Sequence, residues 1–103
     1  MRKGLLDLAV LNALMESERY GYELVKNLVH VPGLTVTEGT LYPLLSRLRL
    51  QGLVKTRLEP SESGPARKYY SLTSEGHRAA KLMNEHLEEL VKGCRSLRNG
   101  DQQ

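Results

Sequence analysis

Three histidines, one cysteine and a run of glutamates are the residues of this 103-residue chain with the chemistry to catalyse a reaction or hold a metal. Their spacing defeats them. His77 and His86 stand nine apart, which puts them on opposite sides of a helix, and His30 lies in a separate segment. Cys94 is the single cysteine, so neither an internal disulfide framework nor a cysteine-based zinc site can form. Glu85, Glu88 and Glu89 read as a solvated face, with Lys92 four residues after Glu88 to pair with it. There is no glycine-rich phosphate loop and no nucleophile elbow. The expectation is no enzyme activity, no metal and no cofactor.

What remains is binding chemistry from hydroxyls and cations. Leu41, Leu44, Leu45 and Leu48 fall at i, i+3, i+4 and i+7, the period of a helix with one apolar stripe. The opposite arc then carries Gly39, Pro43, Ser46 and Arg47, flanked by Thr40, Tyr42 and Arg49. Reading duplex DNA requires a helix slim enough for the major groove and a face that offers hydrogen-bond donors to base edges and phosphates. An ordinary amphipathic helix with a hydrated face has the same pattern, so its neighbours must decide. Leu50 also projects from the polar arc, and no packing role follows from its position. Lys55 and Arg57 precede, and Arg67 and Lys68 follow, the breaker-rich stretch Glu59-Pro60-Ser61-Glu62-Ser63-Gly64-Pro65-Ala66. Opposed cations beside such a loop suit phosphates, although charge on an exposed strand also guards against aggregation.

The elements that must position these residues follow from period and punctuation. Residues 4–16 are apolar almost all round and predict a first helix buried on more than one side. A second helix runs from about Tyr20 to Val29 and stops at Val31-Pro32-Gly33. The third ends at Gly52; Thr37 or Thr40 can cap its start, and Pro43 favours a start near Gly39 or Thr40. Residues 53–58 and 67–72 are strand-like and form a hairpin, with Tyr70 and Leu72 turned to the core. Thr73 caps a last helix over 74–97, in which Ala80, Met83, Leu87, Leu90, Cys94 and Leu97 alternate steps of three and four, the seam of a coiled coil. Helix, helix, helix, hairpin, helix is mainly α with a two-stranded β wing: a winged helix-turn-helix over 1–73, a dimerisation helix over 74–98 and a frayed tail over 99–103.

Composition agrees. The chain supports about one modest domain, filled by Leu, Val and Ala because it has no Trp or Phe. Residues 1–73 hold ten Lys and Arg against seven Asp and Glu, whereas 74–103 hold five of each, so the basic excess lies in the winged part. No apolar run is long enough to span a membrane, and the interrupted N-terminal stretch argues against a signal peptide; a cytoplasmic protein is expected. A helix of this length cannot be covered by its own small domain, which points to a homodimer with two recognition helices for a palindromic operator.

Three blocks resemble the PadR-like transcriptional regulators: Tyr20-Gly21-Tyr22-Glu23-Leu24; Glu38 through Leu48, closing at Gly52-Leu53-Val54; and Arg67 through Gly76. The similarity spans about residues 3–97. It implies a dimeric, usually repressing regulator of the smaller subfamily, whose single C-terminal helix packs against the partner's N-terminal helix. On that pattern Thr40, Tyr42, Arg67 and Lys68 lie at the DNA surface and Tyr70 packs under the wing. Some small relatives bind flat aromatic drugs with a Trp in the dimer-facing helix; this chain has none.

The reading is therefore a sequence-specific, double-stranded-DNA-binding regulator, a repressor released by a small effector or a partner. Its expected DNA contacts are Tyr20, Thr37, Thr40, Tyr42, Ser46, Arg47, Arg67 and Lys68, and its expected dimer interface is Leu5, Leu8, Met83, Leu87, Leu90, Cys94 and Leu97. The alternative is a winged-helix module that binds a protein instead of DNA; Arg47 and Arg49 on the third helix disfavour it.

Overall fold

The computed structural model describes residues 2–98. Its order is α1 (Arg2–Ala13), β1 (Arg19–Tyr20), α2 (Gly21–Leu28), α3 (Glu38–Leu50), β2 (Val54–Glu59), β3 (Arg67–Leu72) and α4 (Ser74–Arg98). This is the expected fold class: mainly α with a β wing. The tail 99–103 lies outside the described residues.

The wing differs from expectation. It is the larger part of a three-stranded antiparallel sheet ordered β1-β3-β2. The extra strand is only Arg19–Tyr20, paired with Tyr70 and Tyr69. Two residues carry no period of their own, so partners define this strand. Arg19 is pinned further by its Nε, which donates to the Ala13 carbonyl at the end of α1 at 2.8 Å. That bond satisfies one of the carbonyls a helix leaves free at its C-terminus. α1 stops at Ala13, three residues early; Leu14 N–H is shared between the Val10 and Leu11 carbonyls, and Met15 N–H reaches the Asn12 carbonyl three residues back.

The core is aliphatic, as the missing Phe and Trp require. Leu11 and Val10 of α1, Leu24 and Leu28 of α2, and Leu41, Leu45 and Leu48 of α3 are almost fully buried, joined by Val54, Tyr70, Leu72 and Ala80. Each buried leucine contributes about 1.5–3 kcal/mol. Tyr70 and Leu72 face this core, as the strand alternation requires, and Val54 pairs across from Leu72.

α3 starts at Glu38, earlier than Pro43 suggested. Thr37 is its N-cap: Thr40 N–H donates to the Thr37 hydroxyl at 3.3 Å, and Thr37 N–H to the Thr40 hydroxyl at 3.1 Å. This reciprocal bonding outweighs the late start. Pro43 thus lies inside the helix, leaving the carbonyl of exposed Gly39 without its intrahelical donor but open to water. The far end closes as a Schellman turn. Leu53 N–H reaches the Leu48 carbonyl at 3.0 Å and Gly52 N–H the Arg49 carbonyl at 3.0 Å, with Gly52 at φ 79°. Leu50, 80% exposed, is covered by nothing among the described residues.

Thr73 caps α4 as expected, its hydroxyl accepting from Gly76 N–H at 3.0 Å. The first turns of α4 lie against α1, where Asn12 and Asn84 exchange amide hydrogen bonds at 3.0 and 2.8 Å. Beyond them the helix runs clear of the domain, and the molecule extends 64 × 27 × 20 Å.

Candidate nucleic-acid interface

Helical geometry divides the exposed arc of α3 between two neighbours. Tyr42 borders α2 on one side, Arg47 borders α1 on the other, and Gly39, Pro43 and Ser46 lie exposed between them. The two borders differ in chemistry.

On the α2 side is a small cleft of about 190 Å³, lined by Tyr20, Gly21, Tyr22, Tyr42, Arg67, Lys68 and Tyr70. Four expected contact residues, Tyr20, Tyr42, Arg67 and Lys68, thus meet from three elements, although 22 to 48 residues separate Tyr20 from Tyr42 and Lys68 along the sequence. Tyr42 approaches because residue 21 has no side chain: a Cβ there would stand 2.5 Å from the Tyr42 hydroxyl and 2.6 Å from a ring carbon. Burial first, and then the nearby Glu38 carboxylate, raise the Tyr42 hydroxyl above its ordinary range, so it stays protonated and can donate. Burial likewise raises Tyr70, which packs under the wing beside it. Arg67 lies over the Tyr20 ring, 4.7 Å from its centroid. Among the described residues neither Arg67 nor Lys68 has a carboxylate at ion-pair distance. The cleft therefore presents two uncompensated cations and a hydroxyl donor.

On the α1 side is a wider, mostly apolar groove of about 630 Å³, bounded by Leu6 and Asp7, residues 33–35, and Gly39, Thr40, Pro43, Leu44 and Arg47. Arg47, an expected DNA contact, has a partner within the chain. Its Nη2 donates to Asp7 Oδ1 at 2.7 Å, turning the guanidinium toward α1, and this bond raises the Arg47 pKa. Asp7 stands 40 residues away in sequence, so the polar arc gave no sign of the pairing.

The remaining expected contacts are dispersed. Thr37 and Thr40 are exposed, but their hydroxyls are committed to the α3 cap, Thr40 Oγ1 also donating to the Thr37 carbonyl at 3.0 Å. Ser46 is exposed one turn beyond Tyr42. The expected opposition of wing cations is corrected: Arg57 faces Tyr69, Lys68 faces Leu58, and Lys55 faces Ser71. Arg57 moreover bonds Glu18 and Glu59, so it is no free cation. Sequence reasoning left Tyr22 and Gly21 out of the contact set. The Tyr-Gly-Tyr triplet was the available signal, and Tyr22 is exposed, with the Lys26 ammonium 5.4 Å from its ring centre.

The expected dimer residues split along α4 and α1. Leu8 is only 8% exposed and Met83 is partly buried against the core, so much of both side chains is taken up within their own chain. Leu87 is half-buried. Leu5, Leu90, Cys94 and Leu97 remain exposed, with Val91 beside them. Among the described residues no group of three His, Cys, Asp or Glu could hold a metal, and no helix is long and apolar enough to cross a membrane.

Comparison with known proteins agrees with this architecture. Residues 10–82 match the transcriptional regulator PadR-like family. The solved PadR family transcriptional regulator of Eggerthella lenta is 36% identical, with a TM-score of 0.82 over 99% of this chain and 87% of that one. A PadR-like transcriptional regulator of Bacillus cereus is 32% identical, with a TM-score of 0.84 over 96% of both chains. Bacillus subtilis PadR, solved in complex with operator DNA, is 23% identical and shares the fold, with a TM-score of 0.70 over 75% of this chain and 45% of that one. A winged helix-turn-helix with these matches along nearly its whole length belongs to the PadR-like family of transcriptional regulators.

Proposed function

We propose that this protein is a homodimeric, sequence-specific regulator that binds duplex DNA in the cytoplasm and represses transcription by occupying an operator. The observation that carries the reading is the cleft between α2, α3 and the wing, where Arg67, Lys68 and the Tyr42 hydroxyl converge without a carboxylate to neutralise them. Phosphate contacts of this kind position a recognition helix, and the exposed arc at Gly39, Pro43 and Ser46 is slim enough to enter the major groove. Thr37 and Thr40 then act mainly by fixing the start of α3. Bacillus subtilis PadR with its operator supplies a precedent on the same fold.

Two-fold pairing would come from α4. Its outer stripe, Leu90, Val91, Cys94 and Leu97, is apolar and exposed, with nothing to cover it among the described residues, and Leu5 is exposed on α1. Residues 1–73 then serve as the DNA-binding part and 74–98 as the pairing helix. Release by an effector is supported by the groove against α1: an occupant there would press on Gly39, Thr40 and Pro43, so it could favour one placement of α3 over another. Nothing in this scheme calls for catalysis.

The test is the double variant Arg67→Ala with Lys68→Ala. It should weaken binding to every duplex and flatten the dependence on salt while leaving the thermal melt and the oligomeric state unchanged. Unchanged binding would remove the wing from the interface.

A further inference from the structure

Four side chains form a ladder on the outer face of the sheet. Arg57 lies over Tyr69 at 4.7 Å from the ring centre, Tyr69 meets Tyr20 edge to face at 5.6 Å, and Arg67 lies over Tyr20 at 4.7 Å. Each end is an arginine, yet the carboxylates are shared unequally. Glu59 stands directly across the strands from Arg67. Its carboxylate nevertheless bonds Arg57, two residues away on its own strand. Glu18, from the turn between α1 and β1, takes the rest of the same guanidinium, with Nε donating at 2.8 Å and Nη2 to the other oxygen. One guanidinium has five N–H donors in a fork and can satisfy both carboxylates at once. Arg57 therefore holds both Glu18 and Glu59, and among the described residues Arg67 has no carboxylate at ion-pair distance.

We propose that Arg57 is a positioning residue for DNA binding: by retaining Glu59 and Glu18 it keeps Arg67 uncompensated and available to a phosphate. This rests on the reading of Arg67 as a phosphate contact given above. Without the Arg57 guanidinium, Glu59 has Arg67 as its cross-strand neighbour, and opposite charges in that relation attract. The resulting pair would neutralise Arg67 and draw it from its seat on Tyr20.

A double-mutant cycle read by anisotropy of a labelled random duplex tests the idea. Arg57→Gln should lower affinity about two- to fivefold, the range for one exposed ion pair, and reduce the salt slope as Arg67→Ala does. Adding Glu59→Gln should restore both. The gain from Glu59→Gln should be larger in the Arg57→Gln background than in the wild type, where that carboxylate is already held. Arg57→Lys, which keeps a cation between the two acids, should keep most of the affinity. Equal gains from Glu59→Gln in both backgrounds would overturn the inference and leave Arg67 as a phosphate contact. An Arg67→Ala variant with unchanged affinity and slope would instead overturn the phosphate reading, and this inference with it. Thermal melts of each variant separate these outcomes from loss of the fold.

Discussion

Replacing Gly21 with alanine tests how the cleft is built, because its effect should change sign with the residue at position 42. An added Cβ would stand 2.5 Å from the Tyr42 hydroxyl, against the 3.4 Å at which ordinary contact begins, so the ring must move by about 0.9 Å. Tyr42 is 38% exposed and can yield, which places the cost at the low end of the 1–3 kcal/mol typical of overpacking, about 1 kcal/mol. For a domain of this size that lowers the melting temperature by about 4–8 °C. Once Tyr42→Ala has removed the ring, the same substitution should be neutral or stabilising by up to about 0.5–1 kcal/mol, since alanine restricts the unfolded chain and favours the helix. The assay is a four-member cycle of urea or thermal melts, with duplex affinity measured alongside. A coupling of about 1–2 kcal/mol between the two positions and weaker binding by Gly21→Ala are expected. If Gly21→Ala costs the same in both backgrounds, the close approach of α2 and α3 through this ring is wrong.

Three further outcomes follow from the same structure. Leu45→Ala, at a fully buried position of α3, should cost about 2–5 kcal/mol in chemical denaturation, whereas Leu50→Ala should change stability by less than about 0.5 kcal/mol. Leu87→Glu with Leu90→Glu should give a monomer by sedimentation, because like charges and buried acids would oppose pairing of the α4 stripes; an intact dimer would show that another surface pairs the subunits. Hydrogen bonding from Arg57 lowers the Glu18 pKa below its usual value of 4.5, so its contribution is complete above that value and fades as pH falls through the lower folded-state value. The stability gap between wild type and Glu18→Gln should therefore be constant near neutrality and narrow only below about pH 4.5, and a gap that widens on acidification would contradict the Arg57–Glu18 bond.

Residues differ in how far their sequence declared them. α3 was legible because Leu41, Leu44, Leu45 and Leu48 repeat at the helical period and all four are buried. Tyr70, Leu72 and the Thr73 cap were legible for the same local reason: alternation and capping act within a few residues. Strand β1 was not, since Arg19–Tyr20 owes its existence to β3, some 50 residues on. The arginines show the limit most clearly. Arg47 and Arg57 looked like free cations, yet their partners Asp7 and Glu18 come from 40 and 39 residues away. Charge counted along the chain cannot say which cations are already neutralised in space. Met83 belongs to the same class, for the seam period cannot tell a subunit face from a face that packs onto the core of its own chain.

The claim on which the rest depends is that two copies of an uncompensated Arg67–Lys68 cleft grip the phosphates of one duplex. Equilibrium binding to a fixed duplex, titrated over salt from roughly 50 to 200 mM, measures this directly. Four phosphate contacts in a dimer give a slope of about −3.6 in log affinity against log salt, a loss of about 150-fold over that range. An affinity that stays level across the titration would contradict the account and favour a protein partner for this surface.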